Sequence, residues 1–538
     1  MSGSDGRGLT RRGLAKGAVL AAGGLALGTE GASAHGRGRH PWKPEDDDDI
    51  ALVNGNFITL DRRDPTAGSV AIRNGRIIEV GRRGRSVRGC KRTIDLKGAT
   101  VIPGLIDSHQ HFIRGTHNPG YETRFIESAT SIADVQAALA SRARRVPAGQ
   151  FLTCIGGWNR NGLAEKRLPT PAELDAAAPA HGVYLSETGG GGQAVTNTLG
   201  RAFFTTAGVP VDATTGVLAA GAGRAALVAV QTFDDKRRGT ADGIAHVAGL
   251  GLTTIADVGG VLFPDYAIVG DLWRSGDLDI RFRQFFTGFD FPNLDGVKTF
   301  VLNNHNKLGD DQFRLCGIGE RITGGTPSAA TVAEVAQFLG ERGWTLILHS
   351  LSATENQTHV DAFKVAAQSF DIAELRWALH HINDITPALL GEIAALGIPV
   401  GIQGWRYTSN SGGAPWRQAV DLGIPVGGGT DATNVAAQNP WLMLYHMSTG
   451  RNNAGVVTNA AGAVTRLEAL RIYTEGSAYL TGDDDRLGTI EEGKLADLAV
   501  LSDNYLKVPE EKIKKITSDL TINGGRVVHA AGRFKHLN

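Results

Sequence analysis

The chain has 538 residues, with 55 Lys+Arg set against 55 Asp+Glu and 42% hydrophobic side chains. That balance leaves no electrostatic footprint for nucleic acid, and the apolar share excludes an intrinsically disordered chain. Three scattered cysteines, Cys90, Cys154 and Cys316, have neither the pairing of a disulfide framework nor the spacing of a cysteine zinc site.

The N-terminus reads as an address. Thr10-Arg11-Arg12-Gly13-Leu14-Ala15-Lys16 precedes an apolar Gly/Ala-rich stretch from Gly17 to Gly28, and Ala32-Ser33-Ala34 follows as a small-x-small cleavage pattern. The arginine pair and the weakly hydrophobic core match a twin-arginine signal. Residues 1–34 are therefore expected to be a signal peptide read by the twin-arginine export machinery, leaving an exported protein, periplasmic or extracellular. Residues 35–49, with two prolines and an acidic run, read as a disordered linker.

From Ile50 the pattern turns to short β-rich runs, 51–60, 69–80 and 93–96, separated or interrupted by Asn-Gly turns. Residues 497–501 and 520–528 repeat the style at the far end. The two ends are expected to pair into one small β domain, residues 50–103 and 481–538, with residues 104–480 inserted between them. That middle alternates apolar runs with helical patterns. Helices are predicted from Thr170, over 331–341 and over 387–396; buried strands are predicted over 344–348 and 398–402. Repeated βα units mean a parallel sheet, as a (β/α)8 barrel or a doubly wound sheet. No glycine-rich nucleotide loop accompanies it.

The strongest chemical signal is Val101-Ile-Pro-Gly-Leu-Ile-Asp-Ser-His-Gln-His111. An apolar strand ends in two histidines spaced by two, so both imidazoles face the same way where a barrel builds its site. Such a pair can hold one divalent metal, with Asp107 placed to orient one of them. Three more apolar runs end in metal-type ligands: Leu346-Ile-Leu at His349, 375–379 at His380-His381, and 425–430 at Asp431. Trp158, Trp405, Tyr407, Trp416 and Trp441 follow apolar runs and are candidates to line a pocket.

Pro103-Gly-Leu-Ile-Asp-Ser-His-Gln-His111, the later histidines, Gly-Thr-Asp431 and Gly488-Thr-Ile-Glu-Glu-Gly-Lys-Leu-Ala-Asp497 together resemble the amidohydrolase superfamily. The branch resembled includes N-substituted formamide deformylases and related metal-dependent hydrolases. Gly156-Gly-Trp-Asn159 and Pro169-Thr-Pro-Ala-Glu-Leu-Asp175 carry the same likeness. The resemblance implies an α/β fold, a distorted (β/α)8 TIM barrel with a small β-sandwich built from both chain ends. It implies a divalent metal, zinc foremost, held by His109, His111, His349, His381 and Asp431. Asp431 would handle the proton of the hydrolytic water, and Trp158, Asn159, His380 and Trp405 would border the substrate. The reaction expected is attack of metal-activated water on a C–N bond of an amide, N-acyl or N-formyl small molecule. A deaminase, lactonase or decarboxylase on the same scaffold, or a non-catalytic barrel serving binding or regulation, are the alternatives. A homo-oligomer stays open.

Two positions depart from the branch. A lysine that would bridge two metals once carbamylated is replaced by Gly319, with Glu320 beside it, and a substrate-binding histidine is replaced by Gly192. Glu320 is a candidate bridge. Strand alternation, however, turns neighbours to opposite faces, which favours one ion with Glu320 facing away; two require a bulge.

Overall fold

The computed structural model describes residues 49–82, 87, 89–188, 192–260, 265–432 and 435–537. The expected signal peptide, and all of the expected linker but its last residue, lie outside them. Among the described residues no helix is long and apolar enough to cross a membrane.

Eight parallel strands run through the middle of the chain. Leu105–Gln110 (β1), Leu252–Asp257 (β2), Arg281–Phe286 (β3) and Phe313–Ile318 (β4) form one four-stranded sheet in sequence order. Ile347–Ser350 (β5), Ala378–His381 (β6), Val400–Gln403 (β7) and Val426–Gly429 (β8) form a second. The first sheet meets the second at both edges. Ile318 forms a parallel bridge to Leu346, and Asp431 N donates to His109 O at 2.9 Å while His111 N donates to Ala432 O at 2.8 Å. Strands buried on both faces read as continuous apolar runs, which is why those at 344–348 and 398–402 were legible. Helices follow the strands, among them Ala329–Gly340, capped by the Ser328 hydroxyl, and Pro387–Ala395, which starts on a proline.

The two chain ends do pair. A six-stranded sheet sets Thr100–Pro103 between Asn56–Ile58 and Leu498–Leu501, with Ser518–Asn523 and Arg526–Ala530 beyond. A four-stranded sheet of residues 50–81 and 92–95 accompanies it, and one apolar cluster draws Leu52, Val70 and Ile72 together with Val101, Leu498 and Leu520.

The pattern did not foresee an insertion between β1 and β2. Tyr121–Glu122, Phe151–Ile155, Gly182–Ser186, Gln193–Thr196 and Val217–Ala219 form a separate five-stranded sheet. The helix predicted at Thr170 belongs to it, Pro171–Ala177, with Thr170 and Glu173 in a reciprocal capping box.

Candidate metal centre

β1 delivers His109. His111 falls one residue past the strand, at the start of the short helix Phe112–Thr116. Its Nδ1 lies 2.8 Å from Gly259 O. A carbonyl only accepts, so Nδ1 carries a proton and Nε2 is the nitrogen turned to the centre. Asp257, at the end of β2, accepts from Gly259 N at 2.9 Å and from Ile113 N at 2.8 Å, so it braces both sides of that contact. His109 is fully buried, and its Nδ1 lies 2.6 Å from His380 Nδ1, again leaving Nε2 to face the centre.

Asp431, just past β8, places Oδ1 3.5 Å from Nε2 of both His109 and His111. β8 comes this close to β1 because residue 429 is glycine: a Cβ there would sit 2.7 Å from the His109 Cβ. His381 and Asp431 both adopt left-handed backbone, φ 75° and 59°, a strained conformation often kept at functional sites.

Glu320 does not face away. Its Oε2 lies 2.7 Å from His349 Nδ1, 3.0 Å from His381 Nε2 and 3.7 Å from His109 Nε2, and its Oε1 lies 3.4 Å from His111 Nε2. The expectation from strand alternation fails because β4 ends at Ile318, two residues earlier, so alternation no longer governs. The missing lysine has a steric reason: a Cβ on Gly319 would lie 2.1 Å from Ile347 O, at a φ of 136°. Glu320 occupies the space between the imidazoles instead.

Burial alone would raise the Glu320 carboxyl, but the His111, His349 and His381 imidazoles outweigh it and hold it well below the usual range. Asp431 is lowered likewise: burial opposes, and His109 and His381 prevail. Burial pushes His109 down, towards the neutral ring that metal ligation needs.

The donor set fits a divalent ion. Ligand atoms of His109, His111 and Asp431 lie within 4.8 Å of one another, as do those of His109, Glu320 and His381. His109 Nε2 and His381 Nδ1 are buried with no hydrogen-bond partner, an arrangement that is costly unless something else satisfies them.

Other expected site residues are placed differently. His380 is 1% exposed and backs His109, so it supports a ligand rather than bordering substrate. Asp107 touches no imidazole: it accepts from the backbone of His109 and Thr430, from the Thr430 hydroxyl and from Gln110, tying β1 to β8. Burial raises its carboxyl to about 7. Trp158 is buried in the core of the insertion, while Tyr407, Trp416 and Trp441 are buried in the main core. Asn159 donates to Thr408 O and accepts from Asn453, and the Trp405 indole donates to Asn383. Asp257 was missed by the sequence reading; its one signal was its position at the end of an apolar run.

Residues 92–529 match the amidohydrolase family, and the chain belongs to it. It is 24% identical over 517 residues to the N-substituted formamide deformylase of Arthrobacter pascens, spanning 84% of this chain and 93% of that protein. It is 23% identical over 528 residues to the protein LONG AFTER FAR-RED 3 of Arabidopsis thaliana, 85% and 87% of the two chains. Among solved structures, an uncharacterized metal-dependent hydrolase from Pyrococcus horikoshii OT3 superposes with TM-score 0.58 at 18% identity, covering 86% of this chain and 99% of that one. The zinc complex of atrazine chlorohydrolase from Arthrobacter aurescens TC1 gives 0.54 at 19%, covering 89% and 95%. These likenesses establish the fold relationship.

Proposed function

We propose that the protein is an exported hydrolase that cleaves the C–N bond of amide, N-acyl or N-formyl small molecules. The observation that carries this is the convergence of His109, His111, His381, Glu320 and Asp431 on one buried centre, with His349 held against Glu320 at its edge. His109, His111 and Asp431 would hold one ion, and Glu320 would join it to a second held with His349 and His381. A histidine and carboxylate donor set suits zinc. A divalent ion bound there supplies the charge that polarises a carbonyl and acidifies water. Asp431, ionised and beside that point, takes the water's proton and returns it to the departing amine. Glu320 stays ionised throughout and keeps the imidazoles aimed.

The likeness to the formamide deformylase supports the bond type. The complete ligand set speaks against a non-catalytic barrel. On the same reading the two parallel sheets close as a distorted (β/α)8 barrel over residues 104–480, supported by the contacts at both their edges. The two chain-end sheets form a β-sandwich of residues 50–103 and 481–538, supported by their shared core.

The test is metal analysis of the reconstituted mature protein with a screen of N-formyl, N-acyl, cyclic-amide and lactone substrates. Turnover of lactones alone, or metal-free protein with full activity, would overturn the proposal. Export is tested by Arg11→Lys with Arg12→Lys, which should strand the protein in the cytoplasm, and by intact mass, which should show His35 first.

A further inference from the structure

A buried polar trio adjoins the centre and takes no part in the chemistry above. Ser350 closes β5 one residue after His349 and is wholly buried. Its hydroxyl donates to Asn356 Oδ1 at 2.7 Å and accepts from His359 Nδ1 at 3.1 Å. An amide oxygen only accepts, which fixes both directions. Asn356 and His359 stand one turn apart on the helix Ala353–Ala366, and both are buried. Their neighbours on that helix, Val360, Ala362 and Phe363, belong to the apolar core. Desolvating three polar groups in such a place costs free energy that apolar side chains would not, so the trio serves geometry better than it serves stability.

Ser350 sits where the backbones of three candidate ligands, Glu320, His349 and His381, come together. It follows His349 directly, and His349 N donates to Glu320 O at 2.8 Å. Ser350 pairs with His381 in the register of β5 and β6, and its carbonyl accepts from Ile382 N at 2.8 Å. His381 and Ile382 both adopt left-handed backbone, φ 75° and 44°. A β-branched residue keeps that conformation only where its surroundings impose it. The start of the same helix adds a further tie. Glu355 accepts from Ser352 N at 3.0 Å and Leu351 N at 3.2 Å, and its other oxygen lies 3.7 Å from Nη1 of Arg321, the residue after Glu320.

We propose that Ser350, Asn356 and His359 are positioning residues that hold Glu320, His349 and His381 in place for a second ion. Breaking the trio then weakens that ion and spares the one held by His109, His111 and Asp431. The inference rests on the two-ion form of the hydrolase reading above and deepens it. Groups that fix the orientation of metal ligands without touching the metal commonly govern its affinity. Here the hydrogen bonds from one helix fix the end of β5, and β5 in turn fixes the turn after β6.

The experiment titrates metal-free wild type, Ser350→Ala, His359→Leu and His359→Asn with zinc against a competing chelator, which gives the stepwise affinities without reading turnover. His359→Leu fills the ring's place with an apolar side chain and removes the hydrogen bond, whereas His359→Asn returns an N–H near the position of Nδ1. Thermal unfolding of the metal-free forms checks that each is folded; if Ser350→Ala is not, the two His359 variants decide. One of the two affinities should fall by about 10- to 100-fold in Ser350→Ala and His359→Leu. The other should stay close to wild type, and His359→Asn should recover most of the loss. A packing role would give the opposite order, with leucine tolerated better than asparagine. That order, an equal fall at both sites, unchanged affinities, or a wild type that takes up a single ion each overturns the inference. All of these leave the hydrolase reading to the substrate screen; a wild type that binds no metal overturns both.

Discussion

Glu320→Gln removes one charge while keeping the side chain's size. In the structure that carboxylate reaches four imidazoles at 2.7 to 3.7 Å, so a bound cation would lie at a comparable range. A unit charge about 4 Å from another is worth about 4 kcal/mol at an effective dielectric of ~20, or roughly three decades of affinity. A second ion, whose remaining ligands would be His349 and His381, should leave first. Wild type should hold two ions per chain after dialysis against limiting chelator, and Glu320→Gln one or none, read by elemental mass spectrometry alongside turnover. If the variant holds as much metal as wild type and turns over within about twofold of it, the carboxylate is not a ligand and the reasoning fails.

Asp431→Asn should lower turnover by about 10²- to 10⁴-fold, the usual worth of a proton-transfer group, with further loss if metal departs; near-normal turnover would remove its role. His109→Ala and His111→Ala should each lose metal, seen by elemental analysis. Reconstitution should not depend on bicarbonate, since Gly319 has no room for a carbamylated lysine; stimulation by bicarbonate would point to a lysine elsewhere. Asp483 is fully buried among Arg283, Arg314 and Arg486. Burial opposes its ionisation, but the guanidiniums, Arg283 foremost, hold its carboxyl far below the ordinary range. A depressed folded pKa gives stability that is present above the unfolded value of about 3.9 and lost as pH falls towards the folded one. Asp483→Asn should therefore cost about 3–5 kcal/mol near neutrality, and its gap from wild type in thermal unfolding should narrow in acid. A gap independent of pH would contradict this.

His109, His349, His381 and Asp431 were legible because each ends an apolar run, and a strand buried on both faces can present polar chemistry only at its end. Their convergence needed eight such runs in one parallel order, which the βα alternation suggested. Glu320 was misjudged because the rule of alternating faces stops with β4 at Ile318. The insertion was hidden because Phe151–Ile155 and Gly182–Ser186 pair in parallel and are as apolar as barrel strands. Trp416 and Trp441 looked like pocket residues because an aromatic after an apolar run reads the same whether it turns inward or towards a ligand.

The join between the chain ends also bears on how the protein is made. Leu498–Leu501 lies antiparallel against Thr100–Pro103, and Asp497 O accepts from Gly104 N at 2.8 Å, immediately before β1 begins. The Asp497 side chain also grips Arg281 of β3 through two hydrogen bonds. The strand that carries His109 is thus anchored by residues that leave the ribosome some four hundred positions later, a very non-local contact of the kind that slows folding. A nascent chain can make these anchoring contacts only after residues 497–501 have emerged, so the end of β1 that leads to His109 gains its outer support last.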